Sequence, residues 1–196
     1  MALRGHLASV KVESSALAFT DEATTTSDNL TFTITDSNKS VWAYGSDVVV
    51  KVNAGVVTTG FTLKPLIGQV VFDSDQTGNT ITVSGDYVTL TTVANAKSFS
   101  FSGSADALDS TKFLDTNRVF ESGLRTATAE LGEWYTTADI FYDLLVNGSI
   151  KVVEYYVDAT NVIRFYAFIT QQQINAPVEG LIDQAISLQV TTDFNI

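Results

Sequence analysis

Hydrophobic and polar residues alternate in short runs along most of this chain, and a period of two predicts strands. The clearest run is 97–103, where Phe99 and Phe101 share one face and Ser98, Ser100 and Ser102 the other, so one face is buried and one is wet. Apolar-rich runs at 17–24 and 30–35 flank the polar linker 25–29 and read as a hairpin. Runs 47–52 and 56–63 meet at Asn53, Ala54 and Gly55, and runs 69–72 and 80–84 meet across the turn-forming stretch 73–79. Together they make 41–93 a compact meander, an embellishment on the main sandwich. The last strand, 182–194, puts Ile182, Ile186, Leu188, Val190 and Phe194 opposite Asp183, Ser187, Gln189, Thr191 and Asp193, so burial determines its register.

Three stretches depart from simple alternation. Strand 124–134 carries small residues, Ala127, Ala129 and Gly132, and the hairpin 150–157 with 162–170 is apolar on both faces (Val152, Tyr156, Phe165, Phe168), as strands covered on both sides are. One helix is predicted. Thr136 precedes Asp139 by three residues ahead of the stripe Ile140, Phe141, Leu144 and Leu145, and Asn147-Gly148 supplies the stop after about three turns. Residues 104–121 have no strand period and read as a long loop, yet they contain Leu108, Phe113, Leu114, Val119 and Phe120. So many large apolar residues argue for burial against a neighbour rather than disorder.

The chain has 196 residues and 45% hydrophobic content, enough for one all-β domain over 1–196. Lys and Arg total 11 against 22 Asp and Glu, a net charge of -11, which excludes nucleic-acid binding through a basic patch. There is no cysteine, so disulfides and thiolate metal sites are excluded. Residues 1–11 lack a signal-peptide core and no apolar run reaches about 18 residues, so the product is expected to be soluble, made in the cytoplasm and free of membrane.

No catalytic constellation or cofactor site emerges, and the chain is read as not an enzyme. Its single histidine, His6, lies outside every predicted strand. Asp73, Asp75 and Gly78 echo part of a calcium loop, but Ser84 stands where the bidentate Glu belongs, and strands flank the segment, so a hairpin turn is favoured over a cation site. Glu121, Glu130, Glu133, Asp139 and Asp143 read as solvated charge rather than a glycosidase pair. Trp42 and Trp134 suit a core or a subunit contact better than a sugar platform.

The order of several short segments is similar to that of one family. Phe19-Thr20-Asp21-Glu22-Ala23-Thr24, Thr33-Ile34-Thr35-Asp36 with Val41-Trp42, Gly68-Gln69-Val70-Val71-Phe72 and Ile81-Thr82-Val83-Ser84-Gly85-Asp86-Tyr87 resemble the first half of tail tube (major tail) proteins of long-tailed bacteriophages. Ser98 to Phe101, Leu108-Asp109-Ser110-Thr111-Lys112-Phe113, Gly123-Leu124, the helix and the closing strands resemble the second half. The resemblance implies a β-sandwich with one flanking helix, assembled as hexameric rings whose inner sheets close into a β-barrel tube around a tape-measure protein. It implies tail terminator and tail-tip proteins as further partners, DNA in transit through the lumen, and a place in the virion.

Two expectations follow. The acid excess would let DNA slide through the lumen without sticking. Residues 104–121, with Leu108, Asp109, Thr111, Phe113 and Phe120, would make contacts between stacked rings. The alternatives are a head decoration or baseplate protein and a carbohydrate-binding β-sandwich using Trp42 and Trp134.

Overall fold

The computed structural model describes residues 9–93, 96–113, 116–135, 140–158 and 161–195, with backbone alone for Ile140 and for 192–195. His6, Leu114, Thr136 and Asp139 lie outside the described residues, as does the side chain of Phe194. Twelve strands and one α-helix follow in the order β1 (Ser9–Thr26), β2 (Thr31–Ile34), β3 (Val49–Val52), β4 (Gly55–Val57), β5 (Phe61–Lys64), β6 (Gln69–Phe72), β7 (Ile81–Thr92), β8 (Ala96–Asp109), β9 (Phe120–Trp134), α1 (Ile140–Asn147), β10 (Lys151–Tyr156), β11 (Val162–Asn175) and β12 (Asp183–Asn195). Among the described residues the fold is all-β with a single α-helix, as the alternation and the one apolar helical stripe predict. Two compact units divide the chain, one of residues 1–93, 151–166 and 193–196, the other of 94–150 and 167–192.

The first unit is built on two sheets that share β1. One sheet runs β4-β3-β7-β1-β10-β11, and the other joins the end of β1 to β2, β6 and β5. After a register shift between Phe19 and Glu22, with Asp21 at φ 50°, β1 rejoins β7 at Glu22↔Val83 and Ala23↔Thr82 and then pairs with β2 from Thr24↔Ile34 to Thr26↔Phe32. Phe19, Val50, Ile81 and Val83 from the first sheet meet Phe32, Ile34, Val70 and Phe72 from the second. Trp42 is wholly enclosed among them, its Nε1 donating to the Lys39 carbonyl at 3.0 Å and its ring 6.1 Å from Phe19. Residues 41–93 therefore build the same core as β1 and β2 and form part of the sandwich itself.

Local chemistry explains the strand ends. Asn53 and Ala54 at φ 50° and 70° make the two-residue turn between β3 and β4, the twist that hairpins favour. Gly68 at φ 62° ends a short 3-10 turn, and a Cβ there would sit 2.7 Å from the Ser40 carbonyl oxygen. The expected strand 56–63 is broken at Gly60, φ 83°, so β4 belongs to the first sheet and β5 to the second. The segment 73–79 likewise crosses between sheets instead of closing a hairpin. β1 begins well before the predicted start at 17, because Val10 and Val12 are buried against the sandwich.

Burial on both faces of β10, expected from its composition, extends to charges. Val152, Val153 and Glu154 are consecutive buried residues. Glu154 accepts from Arg164 Nε at 2.5 Å and from the Tyr156 hydroxyl at 2.7 Å, while buried Glu13 accepts from Lys151 Nζ at 2.8 Å and the Val152 amide at 3.1 Å. Both of these buried carboxylates are paired and hydrogen-bonded, which such burial requires.

The second unit is a sheet in the order β11-β12-β9-β8 with α1. Ala127, Ala129 and Leu131 of β9 and Ile186 and Leu188 of β12 are buried on one face. On that face Gln172 Nε2 donates to Gln184 Oε1 at 2.8 Å, and Gln184 Nε2 in turn donates to Glu133. Ile140–Asn147, 8 residues and about two turns, is the described part of the helix, and its predicted start at Thr136 to Asp139 lies outside the described residues. The helix buries Phe141, and Gly148 at φ 60° ends it with an amide donating to the Leu145 carbonyl at 3.3 Å.

Candidate assembly surface

The expected loop over 104–121 is strand at both of its ends. β8 continues to Asp109 and β9 starts at Phe120, leaving 110–119 as the connection. Pairing of β9 with β12 runs from Trp134↔Asp183 to Thr128↔Gln189, whereas pairing with β8 continues to Asp109↔Phe120. Beyond Ala127 the hairpin is therefore a two-stranded ribbon among the described residues. Its β8 residues past Phe101 are all exposed, and so are its β9 residues before Ala127 except half-buried Gly123. With both faces wet, no hydrophobic period marks 104–109 or 120–121 as strand, which is why sequence reasoning read them as part of a loop.

The ribbon has a bend and a closed neck. Ala105↔Arg125 gives way to Ala107↔Ser122, so two residues of β9 oppose Asp106 alone. A Cβ on Gly123 would lie 3.0 Å from both Asp106 Cβ and Leu108 Cγ, so the Leu108 side chain lies over that glycine. Asp109 Oδ1 accepts the Thr111 amide at 3.0 Å and the Thr111 hydroxyl, and Thr111 Oγ1 accepts the Val119 amide at 3.0 Å. These bonds hold the Asp109 carboxyl below its usual range.

The five expected assembly residues thus divide by role. Asp109 and Thr111 shape the neck, while Leu108, Phe113 and Phe120 carry the exposed apolar surface. Phe113 is 97% exposed. Val119, already singled out with them by its apolar character, is exposed as well, and the structure adds Leu124, exposed on the ribbon next to the bend.

A second apolar patch lies at the other end of β9. The Tyr135 amide donates to the Ile182 carbonyl at 3.0 Å, which fixes the 176–182 loop beside Trp134. Ile174, Val178, Leu181 and Ile182 are exposed there, with Val178 free of all cover. Lys97 Nζ stands 4.1 Å above the Trp134 ring and 2.8 Å from Asp183, fixing the rim. Sequence reasoning did not single out this loop, although Val178 and Leu181 are apolar residues in a turn and carry the same signal as Phe113.

Asp75 Oδ1 accepts the Thr77 amide at 2.6 Å in a local turn, and no group of three or more His, Cys, Asp or Glu side chains could hold a metal among the described residues. Glu121 and Glu130 are exposed, whereas Glu133 is buried against Gln184. No helix among the described residues is long and apolar enough to cross a membrane.

No family model matches the chain, and no curated protein matches it. Among solved structures it is similar to the tail of an empty gene transfer agent (GTA) particle refined with C6 symmetry, at 14% identity and a TM-score of 0.49 over 54% of this chain and 84% of that one. It is also similar to a chain of the native GTA virion (14% identity, TM-score 0.48, 54% of this chain and 86% of that one) and to the SPP1 tail tube (16%, 0.44, 52% and 64%).

Proposed function

We propose that this chain is a bacteriophage tail tube subunit, a virion structural protein without catalysis that self-assembles into stacked hexameric rings. The observation that supports this best is the ribbon of β8 and β9. A two-stranded hairpin is marginal on its own in water, and this one ends in a bare phenylalanine and an open sheet edge. Copies of the same chain would supply the missing cover. The sequence resemblance points to the same assembly. In that setting the tube encloses a tape-measure protein, meets terminator and tail-tip proteins at its ends, and later passes DNA. Synthesis in the host cytoplasm precedes assembly. The net charge of -11 per chain would keep a transiting polyanion from adhering.

The carbohydrate-binding alternative loses one of its two tryptophans, since Trp42 is fully enclosed and bonded to Lys39. Negative-stain microscopy of the concentrated protein tests the proposal. Tubes with a regular axial repeat are expected; a trimer or a single-layer ring would support a decoration or baseplate role instead.

A further inference from the structure

Asn147 is followed by glycine, and no other asparagine in the chain is. A glycine leaves its own backbone nitrogen without a side chain in the way and lets the backbone there turn freely. The fold keeps the pair open. Asn147 is the last residue of α1 and is exposed, as is Gly148. Beyond its two chain neighbours, Gly148 has no heavy atom within 4 Å of the place a Cβ would take. Its amide reaches the Leu145 carbonyl at 3.3 Å, longer than the usual range for such a bond and at a helix end, where fraying begins. Among the described residues no hydrogen bond holds the Asn147 carboxamide. By contrast, Asn53 and Asn161 donate to Asn79 and Asp158, each at 2.7 Å.

We infer that Asn147 is a site of spontaneous deamidation. The Gly148 nitrogen gives up its proton to hydroxide and attacks Asn147 Cγ, and a succinimide ring closes as ammonia leaves. Water then opens the ring at either carbonyl, yielding aspartate or isoaspartate. Water is the only co-reactant, and neither an oxidant nor a cofactor is needed. The product bears on the helix. Asp143 stands four residues before position 147, on the same helix face, and the last turn holds no basic residue. The new carboxylate would therefore meet a like charge and the negative end of the helix dipole, loosening the helix that buries Phe141. This site does not depend on the tube reading, and its failure would leave that reading untouched.

The full chain is held in warm, mildly alkaline buffer and then cut with trypsin, which releases residues 126–151 with Asn147 as their single asparagine. The same peptide, isolated from fresh protein, ages beside it and serves as the clock, and sampling stops once half of it has converted. In the folded chain this peptide is expected to gain the mass of an amide-to-acid exchange before any other asparagine converts. It should appear in two chromatographic forms, one of them methylated by a protein isoaspartate methyltransferase. Asn147→Gln should lose the change. A folded chain that keeps its amide at 147 while the free peptide converts would overturn the inference, and so would faster conversion at another asparagine. Melting of the dilute subunit reads the consequence: aged wild type should shift down toward Asn147→Asp, while aged Asn147→Gln stays in place. A converted chain that melts as the fresh one does would overturn the effect on the helix.

Discussion

Phe113→Ala separates the stability of the subunit from the stability of the assembly. At 97% exposure the side chain gains nothing from the fold, so the subunit should melt as wild type does, within the roughly 0.5 kcal/mol typical of surface changes. If the ring is covered in the tube, full burial of a phenylalanine is worth about 1.5–3 kcal/mol. At a factor of ten per 1.4 kcal/mol, the critical concentration for polymerisation should rise roughly 10- to 100-fold. Sedimentation of tubes across a concentration series measures that value, and calorimetry of the dilute subunit measures the other. Leu131→Ala serves as the opposite control, because Leu131 is 1% exposed and its truncation should cost the subunit about 2–5 kcal/mol. A Phe113→Ala subunit that melts well below wild type, or whose critical concentration stays within a factor of two, would refute the reasoning.

The same structure makes further claims. Gly68→Ala should cost about 2–5 kcal/mol by urea unfolding, because the left-handed backbone disfavours a side chain and the new methyl would strike the Ser40 backbone at 2.7 Å. Arg164→Met should cost about 3–5 kcal/mol by leaving Glu154 buried without its cation, and adding Glu154→Leu should recover much of the loss; an unchanged melt in the single variant would contradict the buried pair. Asp28 accepts the Thr31 and Leu30 amides at 2.7 and 3.0 Å, which lowers its pKa to about 2. Its folded pKa lies below its unfolded value, so its charge stabilises the fold fully above about pH 4 and ceases to do so as pH falls toward 2. The deficit in melting temperature of Asp28→Asn at pH 6 should therefore vanish near pH 2, and a deficit independent of pH would assign the effect to shape instead.

Strands with one face inside the subunit were legible from alternation. β6, the first half of β8 and the described part of β12 stand where the period of two places them, and α1 stands on its apolar stripe. What was lost traces to breaks in the period. β1 holds buried Val10, Val12 and Phe19, but the register shifts near Ser15 and Asp21 move its apolar residues from one parity to the other, so no single alternation covers its length. Val56 and Phe61 looked like one strand because a glycine inside an apolar run signals a break only if the two halves join different sheets. That is a tertiary fact.

The ribbon failed for a different reason, which bears on the function. Alternation arises where a subunit buries one face of a strand, and beyond Ala127 neither face of the hairpin is buried within the described chain. Surfaces that are covered only by other copies follow the geometry of the contact and owe nothing to the strand period. They keep apolar residues, but at positions the period does not predict: Phe113 and Leu124 on the hairpin, Val178 between Pro177 and Gly180, and Leu181 just after that glycine. Missing periodicity together with retained apolar content is thus what an assembly surface looks like in a single sequence. Phe113 was found because its loop was long enough to invite the question. Val178 was missed because a short turn did not, although it is the more fully exposed of the two.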